Sequence, residues 1–254
     1  MVNRERVASG DGTVITYEVT GTGPGLVIVP GGLRTAQHYR KLARHLVDSH
    51  TVYSINRRGR AGSGPQGDDY RIDREREDVI AVLDKTRSDV LFGHSYGGLI
   101  ALEVAMRYPL AKLVLYEPAM SVRGSFPDAW LPAFRHALAR GRGAEAMAIQ
   151  TKGTRMASPL NALPTPLLAL LIRGWMRSHP EMAELQPTYP AEFAEVKRLD
   201  STIDKYKDVT AQTLLLIGGR GPAYLRDPGH LLASIMSLVH RGVAAAHDLI
   251  GQDC

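Results

Sequence analysis

Short, continuous apolar runs alternate along this chain with segments whose apolar positions recur at helical spacing. That is the pattern of βα units arranged around a mostly parallel sheet. Residues 13–19 alternate apolar and polar positions and predict an early antiparallel strand. Leu26-Val27-Ile28-Val29 is apolar throughout and stops at Pro30-Gly31-Gly32, as expected of a strand buried on both faces that enters a tight loop. Residues 36–47 carry helical spacing, 52–55 form the next strand, and a loop rich in Gly and Arg follows over 57–67. Val79, Val82 and Leu83 fall on one face of a helix over 73–85. Asp89-Val90-Leu91-Phe92 is a strand that runs straight into the glycine-rich turn 93–98. A helix over 96–108 follows and stops before Pro109. Strands at 112–116 and 213–217 end at Glu117-Pro118 and Gly218-Gly219.

About 90 residues separate these last two strands, with helical patterns at 129–138 and 166–176 and eight prolines between 127 and 190. An insertion of that length between neighbouring strands predicts a helical cap over a site. The expected organisation is a core of residues 1–118 and 209–254 with a cap of 119–208.

Composition narrows the function classes. The chain has 254 residues, 44% hydrophobic and 22% charged, enough to bury a sizeable core. No apolar run reaches the 18 residues or so that a bilayer requires, and the first six residues carry no apolar export segment, so a soluble cytoplasmic protein without a membrane partner is expected. The lone cysteine, Cys254, is the last residue and allows no internal disulfide and no cysteine-based zinc site. The net charge of +5 is scattered among acids with no aromatic-interleaved basic stripe, so nucleic acid is not an expected partner. No His-x-x-x-His cluster and no phosphate loop with a lysine is present, and neither a metal nor a cofactor is expected. No residue pattern specifies an oligomeric state.

The chemistry concentrates in Gly93-His94-Ser95-Tyr96-Gly97. Gly-x-Ser-x-Gly alone is a weak signal, matched by chance in roughly one such chain in ten, but in this chain of 25 glycines it follows a buried strand and opens a helix. That setting lifts a serine hydroxyl off the sheet at a strained turn and aims helix N–H groups at developing negative charge. Ser95 is therefore the candidate nucleophile. The Tyr96 N–H is one candidate oxyanion donor. The second belongs to the loop after residues 26–29, with Gly32 preferred and Leu33 its neighbouring alternative. Leu33 and His94 are expected to face substrate, and a structural role is the alternative for His94.

With these loops in place the chain resembles the α/β-hydrolase superfamily, in its capped single-domain, esterase-like bacterial form. The resemblance rests on Val29-Pro30-Gly31-Gly32, Asn56-Arg57-Arg58-Gly59-Arg60-Ala61-Gly62-Ser63, Gly93-His94-Ser95-Tyr96-Gly97-Gly98 and Leu113-Val114-Leu115-Tyr116-Glu117-Pro118. It implies the α/β-hydrolase fold: a mostly parallel sheet flanked by helices, with a helical cap insertion. The chain departs from the pattern in three places. Asn56 and Ala61 stand where the family usually has Asp and Gly. The usual acid position falls on Gly218-Gly219-Arg220-Gly221-Pro222, which has no carboxylate. Similar proteins continue into one more helix where this chain stops at Cys254.

The resemblance also implies the order serine, acid, histidine. With the usual acid position empty, Glu117 at the end of the next strand is the preferred acid and Asp227 the alternative. Among His230, His240 and His247, the last follows small residues 242–246, where the family places its base, and it is preferred. The expected activity is hydrolysis of a small ester, thioester, lactone or similar acyl substrate through an acyl-enzyme. Two alternatives stay open: a non-hydrolytic enzyme on the same fold (lyase, cyclase, perhydrolase or acyltransferase), and a binding protein that has lost catalysis. Residues 119–186 carry eight Arg or Lys against four Asp or Glu, which fits a solvated cap surface better than an anionic substrate.

Overall fold

The computed structural model describes residues 2–155, 159–219 and 221–244. Among them, eight strands form one sheet in the order β1-β2-β4-β3-β5-β6-β7-β8. They are β1 (Asn3–Ala8), β2 (Val14–Thr20), β3 (Gly25–Val29), β4 (Thr51–Ile55), β5 (Val90–His94), β6 (Lys112–Tyr116), β7 (Gln212–Gly218) and β8 (Val239–Ala244). β1 and β2 pair antiparallel at one edge, and every pairing from β3–β4 onward is parallel.

The continuous apolar runs follow from burial on both faces. In β3, Val27 and Val29 face one cluster with Leu91, Leu113 and Leu115, while Leu26 and Ile28 face a second with Phe92 and Tyr116. The first face is covered by α2 (Ile72–Thr86) and α3 (Tyr96–Ala105), whose residues from Tyr96 to Val104 are all buried. The second is covered by a 3-10 turn, Ala36–Tyr39, and the short α1 (Arg40–Arg44), which contribute Tyr39 and Ala43. The helix expected over 36–47 is thus two short pieces.

Between β6 and β7 the chain forms α4 (Leu131–Ala139), α5 (Gly143–Gly153), α6 (Thr165–Met176), α7 (Met182–Leu185) and α8 (Tyr189–Arg198). This is the helical insertion that the prolines punctuate. α9 (Ala223–Ile235) links β7 to β8. His230 therefore lies inside a helix. The small residues 242–244 belong to β8, where Val239–Ala244 pairs with β7 in register. Among the described residues, no helix is long and apolar enough to cross a membrane.

Candidate active site

β5 runs directly into the candidate nucleophile. Ser95 lies between β5 and the first residue of α3 with φ 52° and ψ −121°, a conformation that a residue with a side chain adopts only under strain. Backbone hydrogen bonds hold it there. The Ser95 N–H donates to the Tyr116 carbonyl at 2.9 Å, and the Ser95 carbonyl accepts from Gly98, Ala119 and Leu99 at 2.8, 2.9 and 3.2 Å. The flanking glycines have a steric cause. A Cβ at Gly93 would sit 2.5 Å from the Gly97 oxygen, and one at Gly97 would sit 2.2 Å from the Val29 oxygen. The turn closes only because both lack side chains.

The loop after β3 packs against this turn, since a Cβ at Gly31 would come 3.2 Å from the Ser95 Cβ. Gly31 is tethered at both ends. Its N–H donates to the Tyr39 hydroxyl at 3.0 Å, and its carbonyl accepts from Arg57 Nη2 at 3.1 Å. Burial pushes the Tyr39 hydroxyl up to about 12, so it stays protonated at neutral pH. Gly32 faces the insertion: a Cβ there would meet the Tyr189 ring at 2.9 Å and Glu192 Oε2 at 3.3 Å. Leu33 follows in a left-handed conformation, φ 54°. His94 stacks on Tyr116 with ring centroids 5.0 Å apart, and its Nδ1 lies 2.7 Å from the Tyr39 hydroxyl. Its ring is therefore anchored among the aromatic residues of the second sheet face.

Beneath Tyr96 lies a buried charge network. The Tyr96 and Tyr70 hydroxyls are 2.9 Å apart, and Tyr70 donates to Glu75 Oε1 at 2.9 Å. The Arg57 guanidinium sits 5.0 Å from the centroid of the Tyr96 ring. It donates to Glu75 Oε1 at 3.0 Å and to Glu192 Oε1, on α8, at 2.8 Å. Arg60 also donates to Glu192, and to Thr188 Oγ1 at 2.7 Å. Burial pushes the Glu192 carboxyl up, but Arg57 and Arg60 outweigh it and hold the group below the usual carboxylate range. Burial dominates at Glu75, which is raised despite Arg57. Sequence reasoning misses this network. Its one signal is the run of arginines after β4, and the partners of Arg57 stand 18 and 135 positions away.

Glu117 stands at the end of β6 with φ 44° and is buried. Its N–H donates to the Leu216 carbonyl at 3.0 Å, and its Oε1 accepts from the Gly218 N–H at 3.1 Å. The carboxylate thereby crosses from β6 to the end of β7. Asp227 and His230 are exposed on α9, and His240 is exposed on β8. His247 lies outside the described residues. The structure thus brings Ser95, Gly31, Gly32, Tyr96 and Glu117 to the C-terminal ends of the adjacent strands β3, β5 and β6, and leaves Asp227 facing solvent.

The model of the alpha/beta hydrolase family matches residues 26–250. An alpha/beta hydrolase structure from Sphaerobacter thermophilus is 29% identical, with a TM-score of 0.80 over 96% of this chain and 94% of that one. An uncharacterised hydrolase of Bacillus subtilis, YraK, is 31% identical over 115 residues, 43% of this chain and 42% of that protein. The 2-heptyl-3-hydroxy-4-quinolone dioxygenase AqdC2 of Rhodococcus erythropolis is 32% identical over 101 residues, 37% of each protein. This chain thus aligns with less than half the length of either curated relative.

Proposed function

Because this chain belongs to the α/β hydrolase family, we propose that it is a serine hydrolase acting on a small ester, thioester or lactone, with Ser95 as nucleophile. The observation that carries this reading is the backbone of Ser95: a strained residue at φ 52°, locked by hydrogen bonds from both β6 and α3, at the C-terminal edge of the sheet. Strain maintained by this much surrounding structure is expected where a side chain must be aimed.

Ser95 Oγ adds to the substrate carbonyl carbon while His247 takes its proton, and the carbonyl oxygen becomes an oxyanion facing the N–H groups of Gly32 and Tyr96. Collapse expels the alcohol or thiol, which leaves with the proton from His247, and an acyl-enzyme remains. Water then adds to the acyl carbon, giving its proton to His247. The acid departs and Ser95 regains its proton. Glu117 orients His247 and stabilises the imidazolium. Its burial beside the β7 terminus supports that role over Asp227, which lies on an exposed helix face. Residues 119–208 act as the cap, with Tyr189 and Glu192 reaching Gly32, and Leu33 lines the entrance. His94 supports the loop after β3 through Tyr39.

Intact-mass analysis after fluorophosphonate treatment tests this reading. Stoichiometric labelling of the wild type, lost in Ser95→Ala and His247→Ala, is the expected result. An unlabelled but folded wild type removes it.

The stretch shared with a dioxygenase favours a second reading, oxygen chemistry on the same scaffold. Oxygen uptake on adding 2-heptyl-3-hydroxy-4-quinolone, undiminished in Ser95→Ala, would establish it in place of the first.

A further inference from the structure

Arg57 is fully buried, and besides its counter-charges it touches the residue that precedes one candidate oxyanion donor, the Gly32 N–H, and the residue that carries the other, Tyr96. Its Nη2 donates to the Gly31 carbonyl, and its guanidinium lies over the Tyr96 ring. The Gly31 carbonyl and the Gly32 N–H are opposite ends of one planar, trans peptide group. Whatever fixes the direction of that oxygen fixes the direction of the Gly32 N–H. A guanidinium suits this task because it is planar, always charged, and presents several donors in one rigid fork. Donation into the carbonyl also polarises the peptide and strengthens its N–H as a donor.

We propose that Arg57 is the positioning residue of the oxyanion hole, and that Glu192 of the insertion holds it in place. This rests on the reading of Ser95, Gly32 and Tyr96 given above. Arg57 is held from two sides, by Glu75 of α2 and Glu192 of α8. Without both carboxylates a fully buried guanidinium would be strongly unfavourable. The second carboxylate comes from the insertion, so α8 takes part in aiming an amide of the core. Arg60 completes the balance, two guanidinium groups against two carboxylates, and donates to the same Glu192 oxygen as Arg57. Arg58, between them in sequence, pairs instead with Asp78 and Asp11.

The oxyanion exists only in the transition state and the tetrahedral intermediate, so a misaimed Gly32 N–H lowers kcat and leaves KM nearly unchanged. The test uses p-nitrophenyl acetate turnover by the whole chain with Arg57→Lys, Glu192→Gln and, as a control, Arg58→Lys. Arg57→Lys keeps the charge but not the fork. Its kcat is expected to fall by about 10- to 100-fold with KM within about threefold of wild type, somewhat less than outright loss of an oxyanion donor. The Gly32 amide resonance in a 1H–15N spectrum should move in Arg57→Lys and stay in place in Arg58→Lys. Glu192→Gln, which keeps the side-chain shape, should lower kcat several-fold, and it decides the matter if Arg57→Lys does not fold. A folded Arg57→Lys, or failing that a folded Glu192→Gln, with kcat within twofold of wild type overturns the proposal. So does an equal loss in Arg58→Lys, which would mark the effect as general destabilisation. Failure of the Ser95 reading looks different: a wild type that neither turns over the ester nor takes up the fluorophosphonate.

Discussion

The carboxylate of Glu117 fills the space that a side chain at Gly218 would need: a Cβ there would lie 2.2 Å from Glu117 Oε1. Gly221 is open for the same reason, with a Cβ placed 2.9 Å from the same oxygen. The end of β7, bare of carboxylates in its own sequence, thus receives one from β6. Gly218→Ala should displace that carboxylate and lower kcat roughly 100-fold, the scale of an ångström-sized misplacement of a catalytic group. Glu117→Gln keeps an acceptor for the Gly218 N–H but loses the charge, and should lower kcat by roughly 10²- to 10⁴-fold. Asp227→Asn, at an exposed position on α9, should leave turnover unchanged. Turnover of p-nitrophenyl acetate checks all three, and the reverse ranking of Glu117→Gln and Asp227→Asn would move the acid to α9.

Ser95 supports a prediction about stability as well as rate. At φ 52° and ψ −121° its backbone is strained for a residue with a Cβ, and glycine adopts that region freely. Ser95→Gly should therefore raise stability by about 1 kcal/mol, the low end of what such strain stores, while abolishing fluorophosphonate labelling. Ser95→Ala should abolish labelling without the gain, because alanine keeps the Cβ. Urea midpoints of the three proteins separate these outcomes.

Much of this architecture was legible because parallel strands covered on both faces leave continuous apolar runs, as in β3, β5 and β6. The turn at Ser95 was legible because its glycines are sterically required within a few residues of one another. β1 was not. Its sequence, Asn-Arg-Glu-Arg-Val-Ala, is almost wholly exposed, and its pairing with β2 is what makes it a strand. The Arg57 network was equally hidden, since no local pattern signals that an arginine is buried when its counter-charge arrives from a helix beyond β6. The candidate acid was half legible: Glu117 could be proposed by position, but its reach to β7 is a property of the folded sheet edge.

His38 should make stability fall as the pH is lowered. Burial pushes its pKa down from 6.5 to about 4, with Arg34 and His179 adding to the shift and Glu181 opposing it. Its Nδ1 accepts the Thr35 N–H at 3.0 Å at the start of the 3-10 turn, a bond that protonation there would break. Between pH 6.5 and 4 the unfolded chain takes up a proton that the folded chain refuses, so unfolding becomes easier as pH falls through that window. His38→Gln keeps an acceptor for Thr35 and removes the titration. The slope of urea midpoint against pH over that window should be shallower in His38→Gln, while an unchanged slope would assign the acid sensitivity to other groups.

Arg58 and Asp78 test whether the loop after β4 depends on its buried ion pairs. Arg58 Nε and Nη2 donate to the two Asp78 oxygens, each at 2.7 Å, and both groups are nearly inaccessible to solvent. Asp11 binds the same guanidinium from a more open position, with Nη1 and Nη2 each 3.2 Å from its Oδ2. Asp78→Ala leaves the buried cation with that weaker partner, and should cost about 3 kcal/mol, the low end for breaking a buried pair. Asp11→Ala should cost about 1 kcal/mol or less, as an exposed partner does. Arg58→Met in the Asp78→Leu background removes both charges and replaces them with apolar volume. It should recover much of the loss, because the largest penalty in Asp78→Ala is the orphaned charge and not the missing attraction. Guanidinium chloride would screen these charges, so urea is the denaturant to use. A double variant no more stable than Asp78→Ala would mean that the hydrogen-bond geometry of the pair, and not its charge balance, shapes this loop.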